Sequence, residues 1–195
     1  MNEARAPAAL LIVDVINPLD FNGASPLCKA AEGIVGPIEK LRDAAGDAGL
    51  PVVYVNDHHG AWHAESAELV DKIVGADLPG SDLARRLKPR GQDYFVIKPQ
   101  LSGFYATTLS ALLPRLGVSR IVLTGIAADI CILFTAADAH MREYDLWVPS
   151  DAVAGEHDQR TTWALEIMRN SLSAETRGTN ELDLTDWLNA PRADR

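Results

Sequence analysis

Cysteine is scarce in this 195-residue chain: Cys28 and Cys131 are the only two. Two thiols make no disulfide framework, so a small bridge-stapled secreted fold is excluded and a cytoplasmic protein is expected. Clustered positive charge is missing too. Lys and Arg number 18 against 27 Asp and Glu, a net charge of -9, and no basic run occurs. Nucleic acid is therefore not an expected partner, because phosphate binding needs such clusters. The N-terminal apolar run Ala8–Val13 stops at Asp14 and is too short for a signal segment or a membrane span, so no membrane partner is expected. No Gly-x-Gly-x-x-Gly follows the first expected strand, and no P-loop pattern occurs anywhere. The usual phosphate cradles of dinucleotide and nucleotide sites are thus absent. Internal repeats and low-complexity segments are lacking as well.

What is present is an alternation. The length suits one domain, read as 1–195 with a core of about 8–180. Strands are expected at Ala8–Asp14, Pro51–Asn56, Asp93–Lys98, Arg120–Thr124 and Asp145–Val148, with a short last one at Ser173–Thr176. Helices are expected at Ala31–Ala48, where Ile34, Ile38, Leu41 and Ala45 share a stripe, and at Glu65–Ile73, Ala106–Leu116, Ile130–Arg142 and His157–Ser171. Nearly unbroken apolar strands are those of a parallel sheet buried on both faces. The fold class is therefore α/β, a three-layer doubly wound, mostly parallel sheet. Ile16–Ala30, Asn56–Ala64 and Gly75–Asp93 read as long irregular stretches near strand ends, where such sheets bind ligands. The tail Asn189–Arg195 is polar and expected to fray.

Three polar side chains stand at the ends of three expected strands: Asp14, Lys98 and Cys131. A thiol at a helix start, just past a strand, is expected to have a lowered pKa. Lys98 would stabilise a thiolate, and Asp14 would move its proton. Backbone N–H groups of the turn around Ala127–Cys131 would hold an oxyanion. Blander readings stand beside these. Asp14 would be a turn residue, Lys98 a surface charge before Pro99, and Cys131 a core filler.

The motifs ALLIVDVINPLDF, VVYVNDHHGAW, YFVIKPQLSGFYATTL and, most specifically, IVLTGIAADICILFTAADAHMREYDLWVPSDA resemble those of the isochorismatase-like cysteine hydrolases. That family includes nicotinamidases, N-carbamoylsarcosine amidases and ureidoacrylate-type amidohydrolases. The resemblance covers about Ala8 to Ala154. It implies a catalytic triad of Asp14, Lys98 and Cys131 that cleaves C–N bonds of small amides through a covalent thioester. It also implies oxyanion-binding N–H groups on Ala127 and Cys131, a cis bond before Ala127, and a homodimer or homotetramer.

Departures from the family pattern bear on the substrate. The loop Asp14-Val-Ile-Asn17-Pro-Leu-Asp20-Phe21 is longer than usual and lacks a Gln. Nicotinamidases carry an Asp-x-His metal motif after the second strand. Here Asp57-His58-His59 keeps its outline and His63 follows, but the intervening Trp and the distal His are missing. Asp57, His59 and His63 are thus the candidate metal ligands, while solvated loop histidines are the favoured reading and no cofactor is expected. Phe21, Trp62 and Phe104 are expected to wall a pocket for a small flat substrate, with Tyr105 nearby; packing of Phe104 beneath the sheet is the other reading. No role falls to Cys28. The leading expectation is hydrolysis of a small amide, carbamoyl or ureido compound. Vinyl-ether hydrolysis through Asp14 alone and a non-catalytic binding protein on the same fold remain open.

Overall fold

Apolar runs that leave no polar face must be covered on both sides, and in this chain they are. The structure, a computed structural model, describes residues 6–60 and 65–191. Among these residues there are six strands: β1 (Ala8–Val13), β2 (Val52–Asp57), β3 (Tyr94–Lys98), β4 (Arg120–Ile126), β5 (Asp145–Trp147) and β6 (Val153–Ala154). They lie in the order β3-β2-β1-β4-β5, with β6 paired to the end of β4, and every pairing is parallel. The helices are α1 (Ser25–Asp47), α2 (Ser66–Gly75), α3 (Ser81–Leu87), α4 (Leu109–Arg115), α5 (Leu133–Met141), α6 (Asp158–Ser171) and α7 (Leu184–Asn189).

Side chains alternate across a strand, so β1 feeds two cores. Leu10 and Ile12 pack with Tyr54, Trp147 and the α1 stripe of Ile34, Ile38 and Leu41. Leu11 and Val13 face the other way, toward Leu109, Leu113, Ala136 and Met168. Among the described residues no helix is long and apolar enough to cross a membrane.

Several element boundaries differ from the sequence expectation. Ser25–Ala30 is helical, not irregular, because α1 opens on Ser25 with Pro26 in its first turn, where a missing N–H costs nothing. Gly75–Asp93 contains α3, which the charge-rich Asp82, Arg85 and Arg86 disguise. The helix expected from Ala106 begins only at Leu109, since Ala106 has φ +51°, a conformation no helix accepts. Strand β4 runs on to Ile126, and a π-turn, Ala128–Ile132, precedes α5. Ser173–Thr176 contributes one bridge, Glu175 to Trp147, not a strand. Asn189, expected to lie in the fraying tail, closes α7, whose start is capped by the Asp183 side chain accepting from the Asp186 N–H.

Candidate active site

Register sets where the three candidate side chains meet. Val13 stands level with Val55 on one side and Gly125 on the other, and Asp57 is opposite Lys98. Asp14 therefore emerges beside Asp57, and Lys98 sits two strands away. Strands lie just under 5 Å apart, a span the long lysine stem bridges. The chain direction of the crossovers reverses between β1 and β4, so Asp14 and Cys131 flank the crevice where doubly wound sheets bind ligands.

Asp14 takes the left-handed conformation, φ +55°, unusual for a residue with a side chain. Its N–H bonds the Val55 carbonyl at 3.0 Å. Its Oδ1 accepts from the Asp57 N–H at 2.7 Å, and its Oδ2 lies 2.9 Å from Lys98 Nζ. Lys98 is 1% exposed, so it is no surface charge. Its ammonium also donates to the Gln100 carbonyl at 3.1 Å, reaches Cys131 Sγ at 3.4 Å and stands 3.9 Å from Asp57 Oδ2. Asp14, Lys98 and Cys131 thus form one cluster, with Asp14 and Lys98 buried and Cys131 partly so.

Gly125 makes this closeness of β1 and β4 possible. A Cβ there would stand 2.1 Å from the Val13 carbonyl oxygen, and its φ of +114° suits glycine. Two residues on, the Ile126–Ala127 peptide bond is cis. The Ile130 and Ile132 N–H groups both donate to the Ala127 carbonyl at 3.1 Å.

The electrostatics correct one expectation. A helix-start position predicts a lowered pKa for Cys131, but its thiol is pushed up to about 12, first by burial and then by the negative charge of Asp14, with Lys98 opposing. The thiol sits inside a π-turn beside a carboxylate, not free at an open helix end. Burial also raises Asp14, against the pull of Lys98 and the hydrogen bonds from Cys131, Lys98 and Asp57. For Lys98, burial works downward, but the charges of Asp14 and Cys131 overcome it and the ammonium is favoured. The site thus sets an ammonium and a carboxyl group against a thiol whose proton burial and Asp14 both hold in place.

The pocket expectation divides. Phe21 is half exposed and, with Asn17, His58, His59, Leu69 and Ile73, lines a cavity of about 350 Å³ between the β1–α1 loop and α2. None of the three cluster residues lines it. Phe104 is a core residue. It is 3% exposed and packs in the core against Tyr144, ring centroids 6.0 Å apart, because the turns after Lys98 fold its ring under the sheet. Tyr105 is exposed. Trp62 and His63 lie outside the described residues.

As placed, Asp57 and His59 do not fit a metal site. The His59 N–H bonds Asp57 Oδ1 at 2.7 Å, its Nε2 faces the Ile16 carbonyl at 3.0 Å, and Asp57 Oδ2 looks toward the Lys98 ammonium. Among the described residues no group of three or more His, Cys, Asp or Glu side chains could hold an ion. Sequence reasoning missed Asn56. Its buried amide accepts from the Ile16 N–H at 3.0 Å and donates to the Ile16 carbonyl at 2.8 Å, pinning the loop after Asp14 to the end of β2. The available signal is an amide ending an otherwise apolar strand.

Fold and site together define a parallel α/β protein with an Asp–Lys–Cys cluster at its switch point. Residues 8–181 match the model of the isochorismatase domain, and the chain belongs to that family of hydrolases. It is 41% identical over 172 residues to the uncharacterized isochorismatase family protein YaaI of Bacillus subtilis, covering 88% of this chain and 94% of that one. It is 30% identical over 176 residues to the ureidoacrylate amidohydrolase RutB of Serratia proteamaculans, covering 76% and 70%. Among solved structures, N-carbamoylsarcosine amidase from Thermoplasma acidophilum superposes with a TM-score of 0.70 at 32% identity, covering 91% of this chain and 99% of that one.

Proposed function

We propose that this chain is a cysteine hydrolase that cleaves a C–N bond of a small amide, carbamoyl or ureido compound through a thioester on Cys131. The observation that carries this reading is the single ammonium of Lys98, 2.9 Å from the Asp14 carboxylate and 3.4 Å from the Cys131 thiol. The amidase and amidohydrolase names of two relatives agree with it.

A thiol near pKa 12 does not ionise alone at neutral pH. Asp14 takes the Sγ proton as sulfur attacks the substrate carbonyl carbon. The C=O pair moves onto oxygen, and the oxyanion is held by the N–H groups of Ala127 and Cys131. Lys98 balances the negative charge as it passes between Asp14 and sulfur. Collapse re-forms C=O, breaks the C–N bond and sends the Asp14 proton to the leaving nitrogen. Water then attacks the thioester, Asp14 again accepts a proton, and the carboxylic or carbamic acid leaves as the thiol is restored. Vinyl-ether hydrolysis would need no thiol in contact with Lys98, so this contact favours the covalent route.

An activity screen over nicotinamide, carbamoyl and ureido compounds, with wild type and Cys131→Ala side by side, tests the reading. Turnover of at least one compound by wild type alone is expected. Equal turnover by Cys131→Ala would move the chemistry off sulfur.

A further inference from the structure

Lys98 and Cys131 come from different elements, and something must hold their 3.4 Å contact. The chain after Lys98 lies along the helix that follows Cys131. Gln100 turns its carbonyl back onto Lys98 Nζ at 3.1 Å. Beyond it, the Gly103 N–H donates to Thr135 Oγ1 at 2.9 Å, a buried bond. The Ser102 hydroxyl donates to Asp138 Oδ2 and itself accepts from the Phe104 N–H at 3.1 Å. Arg142 bonds Asp138 Oδ1 at 2.5 Å and lies over the Phe104 ring, 4.8 Å from its centroid. Positions 131, 135, 138 and 142 are spaced by four, three and four, which puts them along one helical face. Each meets the loop in turn: Cys131 meets Lys98, Thr135 meets Gly103, Asp138 meets Ser102, and Arg142 meets Phe104.

We propose that Thr135 and Asp138 are positioning residues, a two-point clamp that fixes the loop after Lys98 on α5 and so holds the Lys98 ammonium against the Cys131 sulfur. The clamp rests on the reading given above, in which Lys98 supports the thiolate. Thr135 is fully buried, which makes its bond strong in a dry site, while the Ser102–Asp138 bond is partly buried. Neither Thr135 nor Asp138 touches Lys98 or Cys131 by any of these bonds. Their effect passes through the loop: without the clamp, Gln100 no longer holds the ammonium in place. The charged groups facing the thiol are Asp14, which disfavours the thiolate, and Lys98, which favours it. Loosening Lys98 alone therefore makes the thiol harder to ionise.

Because the substrate is unidentified, the probe is iodoacetamide on the full chain. Alkylation of Cys131 and of Cys28 is followed separately by peptide mapping, from neutral pH upward. Lys98→Met sets the scale and is expected to slow Cys131 labelling about tenfold, one pKa unit. Thr135→Val keeps the side-chain shape and removes the acceptor oxygen. It is expected to slow labelling about fivefold and to move the labelling curve to higher pH. Asp138→Ala, at a partly exposed position, is expected to do the same. Thr135→Ser keeps the oxygen and is expected to stay within about twofold of wild type. Cys28 labelling, remote from the clamp, reports on folding. Accelerated Cys28 labelling in Thr135→Val marks an unfolded variant, and Asp138→Ala then decides alone: slowed Cys131 labelling supports the clamp, and wild-type labelling overturns it. Wild-type labelling of Cys131 in both clamp variants, with Lys98→Met slow, overturns the clamp and leaves Lys98 its role. Thr135→Ser as slow as Thr135→Val also overturns it. Wild-type labelling in Lys98→Met overturns the role of Lys98, and the clamp falls with it.

Discussion

Asp14 both keeps the proton on Cys131 and, in the proposed reaction, removes it. Its charge is the second cause, after burial, that lifts the thiol to about 12. The sign of an Asp14→Asn substitution follows. The negative charge is lost, the thiolate is disfavoured less, and the Cys131 titration moves down. Ultraviolet titration of thiolate absorbance is expected to show this downward shift. Turnover is expected to fall roughly 10²- to 10⁴-fold, the worth of a general base. More thiolate with less activity separates proton transfer from thiolate supply; an upward shift would contradict the electrostatic account. Metal enters at the same scale. Asp57 and His59 are satisfied by each other, by Ile16 and by Lys98, so turnover is expected to survive EDTA. Loss of activity restored by Zn²⁺ would count against this. The cluster residues are legible in the sequence because charged or reactive side chains ending apolar strands are conspicuous. The thiol's raised pKa is not, since it depends on burial and on a carboxylate 117 positions away in the chain.

At the scale of elements, strands and long helices are legible from their apolar periodicity, and short elements are not. Strand β6 has two residues and exists only because β4 offers it a free edge at Gly125 and Ile126. The six-residue α7 carries its capping residue, Asp183, but too few apolar positions to show a period. The π-turn that carries Cys131 reads in the sequence as a tight turn followed by a regular helix, because one extra residue in a turn leaves no periodic trace. Glycines test how these elements meet. Gly125→Ala would place a methyl 2.1 Å from the Val13 carbonyl oxygen, at a φ of +114°. It is expected to destabilise the fold by several kcal/mol, about 3 or more, because strain adds to the clash. Gly33→Ala, on the exposed side of α1 with open space around it, is expected to stabilise by about 0.5–1 kcal/mol. Chemical denaturation of the two variants measures both. A harmless Gly125→Ala would show that β1 and β4 do not meet as described.

For the whole molecule, alternation of strand and helix implies a parallel sheet, and the sheet is parallel. Strand order is less legible, because it depends on which way each crossover turns and not on any local pattern. That order puts β1 and β4 at the centre, both wholly buried, and leaves β3 at an edge. Amide hydrogen exchange is therefore expected to be slowest in β1 and β4, near the global unfolding limit, and faster in β3. Asp14 and Cys131 follow the two central, buried strands, and Lys98 closes the edge strand, which is where a clamp to α5 matters most. The central claim is covalent chemistry at sulfur. Rapid acid quenching of the protein during turnover of an amide, carbamoyl or ureido substrate, followed by mass spectrometry of the Cys131 peptide, tests it most directly. A transient adduct on Cys131, with the mass of the substrate's acyl part, is expected in wild type and increased if the second step is slowed. Turnover with no adduct at any quench time, retained in Cys131→Ser, would contradict the account.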